Sequence, residues 1–138
     1  MRTWRYVMSG CTIARLYGEV DAPERGLQVL AALGDVEGIG FYGSEVFRVE
    51  GELRRRIAPQ APDEAARYFQ RAVDLARRRE LKSFELRAAT SLARLWRDQG
   101  RCEDARRALA DVYGWFTEGF ETQDLRAAKA LLDELASG

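Results

Sequence analysis

A small residue returns to the same place in an apolar frame three times along this 138-residue chain. Gly26, Ala65 and Ala105 lie 39 and 40 residues apart, and each stands four positions before a large apolar side chain: Leu30, Phe69 and Leu109. Self-similarity at a period of this length marks stacked supersecondary units, each unable to bury its apolar face alone. Two helices approach closely only where a side chain at their crossing is small, so the frame predicts where successive helices touch. The first unit reads Ala14, Tyr17, Gly26 and Leu30. The second reads Gly51, Ala65, Phe69 and Ala72, and the third Ala93, Trp96, Gly100, Ala105 and Leu109. Ala14 to Gly26 and Ala93 to Ala105 are both steps of 12, whereas Gly51 to Ala65 is 14. The two extra residues belong in the loop between Pro59 and Pro62.

The helical period dominates every window, with no sustained alternation and no Asn-Gly hairpin signal. A first helix is expected over about 4–19, with Ile13, Leu16 and Tyr17 on one face. The next starts at Pro23, favoured in a first helical turn, and stops near Leu33 at Gly34. A third covers about 41–57, burying Val46, Phe47, Leu53 and Ile57. A fourth covers about 63–79 on the stripe Ala65, Ala66, Phe69, Ala72, Val73 and Ala76, ending in Arg77, Arg78 and Arg79, which complement the negative end of the helix dipole. A fifth over about 82–99 carries Leu86, Ala89, Leu92, Ala93, Leu95 and Trp96. A sixth reaches about residue 118 through Ala105, Leu109, Val112 and Phe116. A last one over about 123–136, with Thr122 as its N-cap, turns Leu125, Ala128, Leu131, Leu132 and Leu135 inward. The expectation is an all-α single domain over 1–138: three helix-turn-helix pairs (about 4–34, 41–80 and 82–118) and a C-terminal capping helix. Trp96 is expected to be buried between pairs.

This frame of small residue, aromatic three on, turn glycine, alanine and a large apolar residue four later resembles the tetratricopeptide repeat. The third unit matches it without insertion. The first has Gly26 for the alanine and Asp21 where the turn glycine would be. Repeats of 39–40 residues exceed the usual 34, which implies longer helices or looser turns. A narrower resemblance covers 41–135. The runs Glu85–Arg101 and Val112–Phe120 are similar to the C-terminal repeat region of large bacterial regulators that join a class III adenylate/guanylate cyclase domain, or a transcription-regulator domain, to an AAA-type predicted ATPase. There the region is a sensor or docking arm. The resemblance implies a TPR-like α-solenoid, a C-terminal arm or truncated relative of such a regulator, with the catalytic parts absent.

Chemistry finds little purchase on these residues. There is no histidine, which removes the commonest general base and zinc ligand. Ser44, Ser83, Ser91, Cys11 and Cys102 therefore lack a histidine base. The carboxylate pairs Asp133/Glu134 and Glu103/Asp104 are adjacent in sequence and diverge around a helix. No catalytic residue, metal ligand or cofactor is assigned. Gly38-x-Gly40-x-x-Gly43 satisfies a dinucleotide-binding string, but that mechanism needs a preceding strand, and a helix precedes it here, so a turn between repeats is the reading. Cys11 and Cys102, the latter placed in an exposed turn, suit a reducing, cytoplasmic compartment better than a disulfide. No apolar run is long enough to span a bilayer.

Arginine remains. Of 22 basic residues 20 are Arg, balanced by 22 acids. In tetratricopeptide arrays the first helix of each pair lines a concave groove, and its offsets select Glu45, Arg48, Glu52, Arg55 and Arg56, then Arg87, Thr90, Arg94, Arg97 and Asp98. Arg48, Arg55, Arg56, Arg87, Arg94 and Arg97 are thus the candidate groove for an acidic peptide or protein. Exposed pairs at a spacing of four (Glu52 with Arg56, Arg94 with Asp98) are the plain alternative. The dense aromatics Tyr113, Trp115, Phe116 and Phe120 either seat the last helix or meet a partner, a second copy included. The expectation is a non-catalytic interaction module. A nucleic-acid-associated regulator using the Arg clusters is the alternative, disfavoured by zero net charge.

Overall fold

Local helical preference prevails among the described residues. The computed structural model describes residues 12–17, 19, 22–34 and 42–137, and among them there is helix and turn but no strand. Residues 12–17 are helical (α1), followed by α2 (Pro23–Ala31), α3 (Gly43–Ile57), α4 (Asp63–Arg78), α5 (Lys82–Asp98), α6 (Cys102–Tyr113) and α7 (Gln123–Ser137). The protein is all-α. Expected positions 4–11, Asp21, Cys11 and most of the glycine string lie outside the described residues; Gly43, the last of that string, opens α3.

The turns follow from local chemistry. Pro23 occupies the first turn of α2, and Asp63 and Glu64 place negative charge in the first turn of α4. Two turns are built alike. After α5, the amide of Arg101 donates to the Trp96 carbonyl and that of Gly100 to Arg97, with Gly100 left-handed at φ 80°. After α4, Leu81 donates to Ala76 and Glu80 to Arg77, with Glu80 left-handed at φ 57°. Both are Schellman closures, and the second forces a side-chain-bearing residue into a conformation that glycine adopts freely.

Consecutive helices pack from α2 to α7, and in addition α3 meets α5 and α5 meets α7. The small residues lie where the spacing requires. A β-carbon added to Gly26 would stand 2.7 Å from the Ala14 carbonyl oxygen and 2.9 Å from a Leu53 methyl, so α2 is wedged between α1 and α3. A β-carbon on Gly51 would stand 2.6 Å from the Phe69 ring, which lies directly on the α3 backbone. Ala14, Leu30, Ala65, Phe69, Ala72, Ala93, Ala105 and Leu109 are all buried. Ser44, also buried, donates to the Ala72 carbonyl at 2.8 Å and ties the start of α3 to α4.

Several details depart from expectation. Helix α6 ends at Tyr113, not near 118, because Gly114 closes it and the amides of Trp115 and Phe116 turn back to Val112 and Tyr113. Residues 114–122 are therefore a long connection, with Gly119 at φ 79° and the Thr122 hydroxyl donating to the Gly119 carbonyl. Trp96 is half-buried: its ring packs on the core and lies under the Arg101 guanidinium at 4.6 Å. Ile13, Leu16 and Ile57 are exposed, although the helical period places them on apolar faces. Cys102 is the first residue of α6, half-buried, and a free thiol. No helix among the described residues is long and apolar enough to cross a membrane.

Candidate ligand-binding groove

In a helix, residues spaced by three and four share one face. On α3 that rule aligns Glu45, Arg48, Val49, Glu52 and Arg56; on α5 it aligns Arg87, Thr90, Ser91, Arg94 and Asp98. Because α3, α5 and α7 lie in sequence against one another, these faces meet along one wall. The wall holds a cavity of about 580 Å³ lined by Thr12 and Arg15 of α1, Tyr42 before α3, Glu45, Arg48 and Val49 of α3, Arg87, Thr90, Ser91 and Arg94 of α5, and Gln123, Asp124 and Ala127 of α7. A second hollow of about 190 Å³ adjoins it, sharing Arg15, Arg48, Val49 and Arg94 and adding Glu19, Glu52, Leu53 and Arg56.

Two chains of ion pairs cross the wall, one toward each end. In the first, the buried Glu45 carboxylate accepts two bonds from Arg48, at 2.5 and 3.1 Å, and one from Arg87 at 3.2 Å. Arg87 in turn reaches Asp124 of α7 at 3.2 Å. In the second, Asp98 pairs with Arg55 of α3 and, at 3.0 Å, with Arg97. Arg97 continues to Glu134 of α7 at 2.8 Å. Each chain links α3 through α5 to α7.

The charges answer to these contacts. Burial alone would raise the Glu45 pKa, but the hydrogen bond from Arg48 and the fields of Arg48, Arg87 and Arg15 hold it below the usual carboxylate range. Burial likewise opposes the charge on Arg48, and Glu45 more than restores it, so its pKa is raised. Asp98 is lowered for the same reason: Arg97 and Arg55 outweigh its desolvation.

The six arginines chosen from sequence therefore divide. Arg48, Arg87 and Arg94 line the main cavity and Arg56 the adjoining hollow. Arg55 and Arg97 are held in the Asp98 chain and line neither. Asp98 takes those two partners, so an Arg94–Asp98 pair does not form. Arg94 makes no ion pair or hydrogen bond to any described residue. Thr90 donates its hydroxyl proton to the Leu86 carbonyl at 2.7 Å. The residues of α1 and α7, and Ser91, were not anticipated. The step from Gln123 to Ala127 is the available signal, but the apolar period of α7 by itself marks only a cap with its leucines inward.

The aromatic cluster also divides. Tyr113 and Phe116 pack against the core, whereas Trp115 and Phe120 are exposed in the connection. Tyr113 faces Phe120 with centroids 5.9 Å apart, and Trp115 meets Phe116 edge to face at 5.2 Å. No group of three metal-ligating side chains occurs among the described residues. No protein-family model matches the chain, and no curated protein or solved structure matches it either.

Proposed function

We propose that this chain is a TPR-like α-solenoid of three helical pairs and a closing helix, acting as a non-catalytic module that docks an acidic peptide segment of another protein. The carrying observation is Arg94: it lines both the cavity and the adjoining hollow, and has no ion-pair or hydrogen-bond partner among the described residues, whereas Arg48 and Arg87 on the same wall each hold a carboxylate. Small residues at the helix crossings, and the added meetings of α3 with α5 and α5 with α7, support the solenoid. The resemblance in Glu85–Arg101 and Val112–Phe120 supports a docking arm of a larger signalling protein. The nucleic-acid reading has less behind it. Arg71 and Arg77 on α4, Arg101 just before α6, and Arg106 and Arg107 on α6 are interleaved with Asp74, Glu103, Asp104 and Asp111, which leaves no single-sign track for a phosphate backbone.

Fluorescence anisotropy with a labelled Glu-rich peptide tests the reading. Binding is expected to weaken with salt and to be lost in Arg94→Glu, while Arg78→Glu on the exposed side of α4 leaves it unchanged. Equal affinity for the Arg94→Glu and parent proteins, with helical circular dichroism intact, sinks the groove.

A further inference from the structure

The groove's hydrogen-bonding inventory is lopsided. An arginine offers five N–H donors and no acceptor, and Arg94 uses none of its five on described residues. Arg48 gives Nε and Nη2 to Glu45 and keeps Nη1; Arg87 gives Nη1 to Glu45 and Nε to Asp124 and keeps Nη2. Ser91 lines the cavity without a hydrogen bond to any described residue, so its hydroxyl is available as well. The carboxylates, by contrast, are already answered: Glu45 by two guanidiniums, Asp124 by Arg87. Four guanidiniums on the cavity wall face two carboxylates, a surplus of two positive charges. Arg15 is paired with Glu19 of the adjoining hollow at 3.1 Å, which leaves the surplus on Arg94.

A ligand that fits is all acceptor, is anionic, and spreads its oxygens in three dimensions, because the donors come from different helices. A planar carboxylate offers two oxygens and one charge. A phosphoryl group offers three terminal oxygens and nearly two charges at neutral pH, and guanidinium is the side chain best matched to it. We propose that the group received beside Arg94 is a phosphoryl monoester carried on a peptide, held by Arg94, the free edges of Arg48 and Arg87, and Ser91. The inference rests on the peptide-docking reading and specifies its anion. The wall favours a peptide as carrier, since it is open and continues past Arg94 into the second hollow, where Glu52 and Arg56 offer both signs to flanking backbone and side chains.

The test compares three capped, rhodamine-labelled glycine-rich peptides that differ at one position (phosphoserine, glutamate or serine), with inorganic phosphate as unlabelled competitor. The phosphoserine peptide is expected to bind about tenfold more tightly than the glutamate peptide, and the serine peptide not at all. Arg94→Gln is expected to erase that preference, Arg94→Lys to restore part of it, and Ser91→Ala to lower it about threefold, all with unchanged circular dichroism. Equal affinities for phosphoserine and glutamate overturn the phosphoryl assignment and leave acidic-peptide docking standing. Failure of both acidic peptides, together with failure of the Glu-rich peptide, removes the docking groove itself. A phosphoserine preference that survives Arg94→Gln overturns the site. Inorganic phosphate binding as tightly as the phosphopeptide overturns the peptide as carrier.

Discussion

Gly51→Ala separates a designed close approach from an ordinary helical glycine. In mid-helix the exchange normally stabilises by about 1 kcal/mol, because alanine restricts the unfolded chain and favours the helix. Here the new methyl would sit 2.6 and 2.7 Å from two carbons of the Phe69 ring, where carbon atoms prefer about 3.5–4.0 Å. Phe69 is wholly buried, so its ring cannot swing toward solvent, and α3 or α4 must shift. Overpacking of this kind costs about 1–3 kcal/mol. An overlap near the upper part of that range leaves a net loss of about 1–2 kcal/mol after the propensity gain. Urea and thermal unfolding followed by circular dichroism should show a lower midpoint, with Tm down by about 3–8 °C. Phe69→Leu supplies the second arm. Alone it loses packing; combined with Gly51→Ala it makes room for the methyl, so the two changes should couple by about 1 kcal/mol or more. A Gly51→Ala protein more stable than the parent, with additive effects in the double variant, would refute a backbone-to-ring contact as the feature that joins α3 to α4.

The same structure yields three further expectations. Glu80→Gly should stabilise by about 0.5–1 kcal/mol, since the left-handed strain on Glu80 exceeds the entropy that glycine loses on folding; a lower urea midpoint would count against it. Glu45→Gln should cost about 2–4 kcal/mol at neutral pH by leaving Arg48 buried without its counter-ion, and should flatten acid unfolding. The native Glu45 pKa lies below its ordinary value of 4.5, so its stabilisation is complete above that pH and is lost as pH falls through the depressed native value. A variant as acid-sensitive as the parent in that window would contradict the assignment. Trp96→Ala should cost about 2–3 kcal/mol, below the full-burial figure because one ring face meets Arg101 and solvent instead of core; a loss under 1 kcal/mol would place the ring outside the packing between helices.

What could be read beforehand was what depends on spacing. Helices α2 to α5 and α7 fall close to their expected bounds because proline, glycine and apolar period act locally at each end. The glycine and alanine positions were legible for the same reason, although the particular contacts at Gly26 and Gly51 involve Leu53 and Phe69 from other helices. The end of α6 was not legible. Phe116 continues the apolar period, and only Gly114 argues for stopping; tight turns onto Val112 and Tyr113 decided the matter. Exposure of Ile13, Leu16 and Ile57 depends on which neighbours reach them, information that no period contains. In the groove, offsets along α3 and α5 placed Arg48, Arg87 and Arg94 on one wall. They could not foresee that Asp98 would take Arg55, 43 residues away in sequence, along with Arg97, and leave Arg94 with no partner among the described residues.

The two ion-pair chains have a meaning beyond stability. Apart from the buried Glu45–Arg48 pair, these contacts are partly exposed and contribute about 0–1 kcal/mol each, too little to explain why α3, α5 and α7 would be joined by charge on one side and by apolar packing elsewhere. Their effect is positional. Arg87, shared between Glu45 and Asp124, and Arg97, shared between Asp98 and Glu134, are each pinned at both edges, so the side chains bordering the wall are ordered before anything binds. Between these fixed points α5 places Thr90, Ser91 and Arg94 on the same face. A ligand ordering Arg94 has little else to immobilise, and the entropy cost of binding is confined largely to one side chain and the ligand itself. A wall built for stability alone would give the central cation a carboxylate too; among the described residues Arg94 has none, and the proposed docking turns on it for that reason.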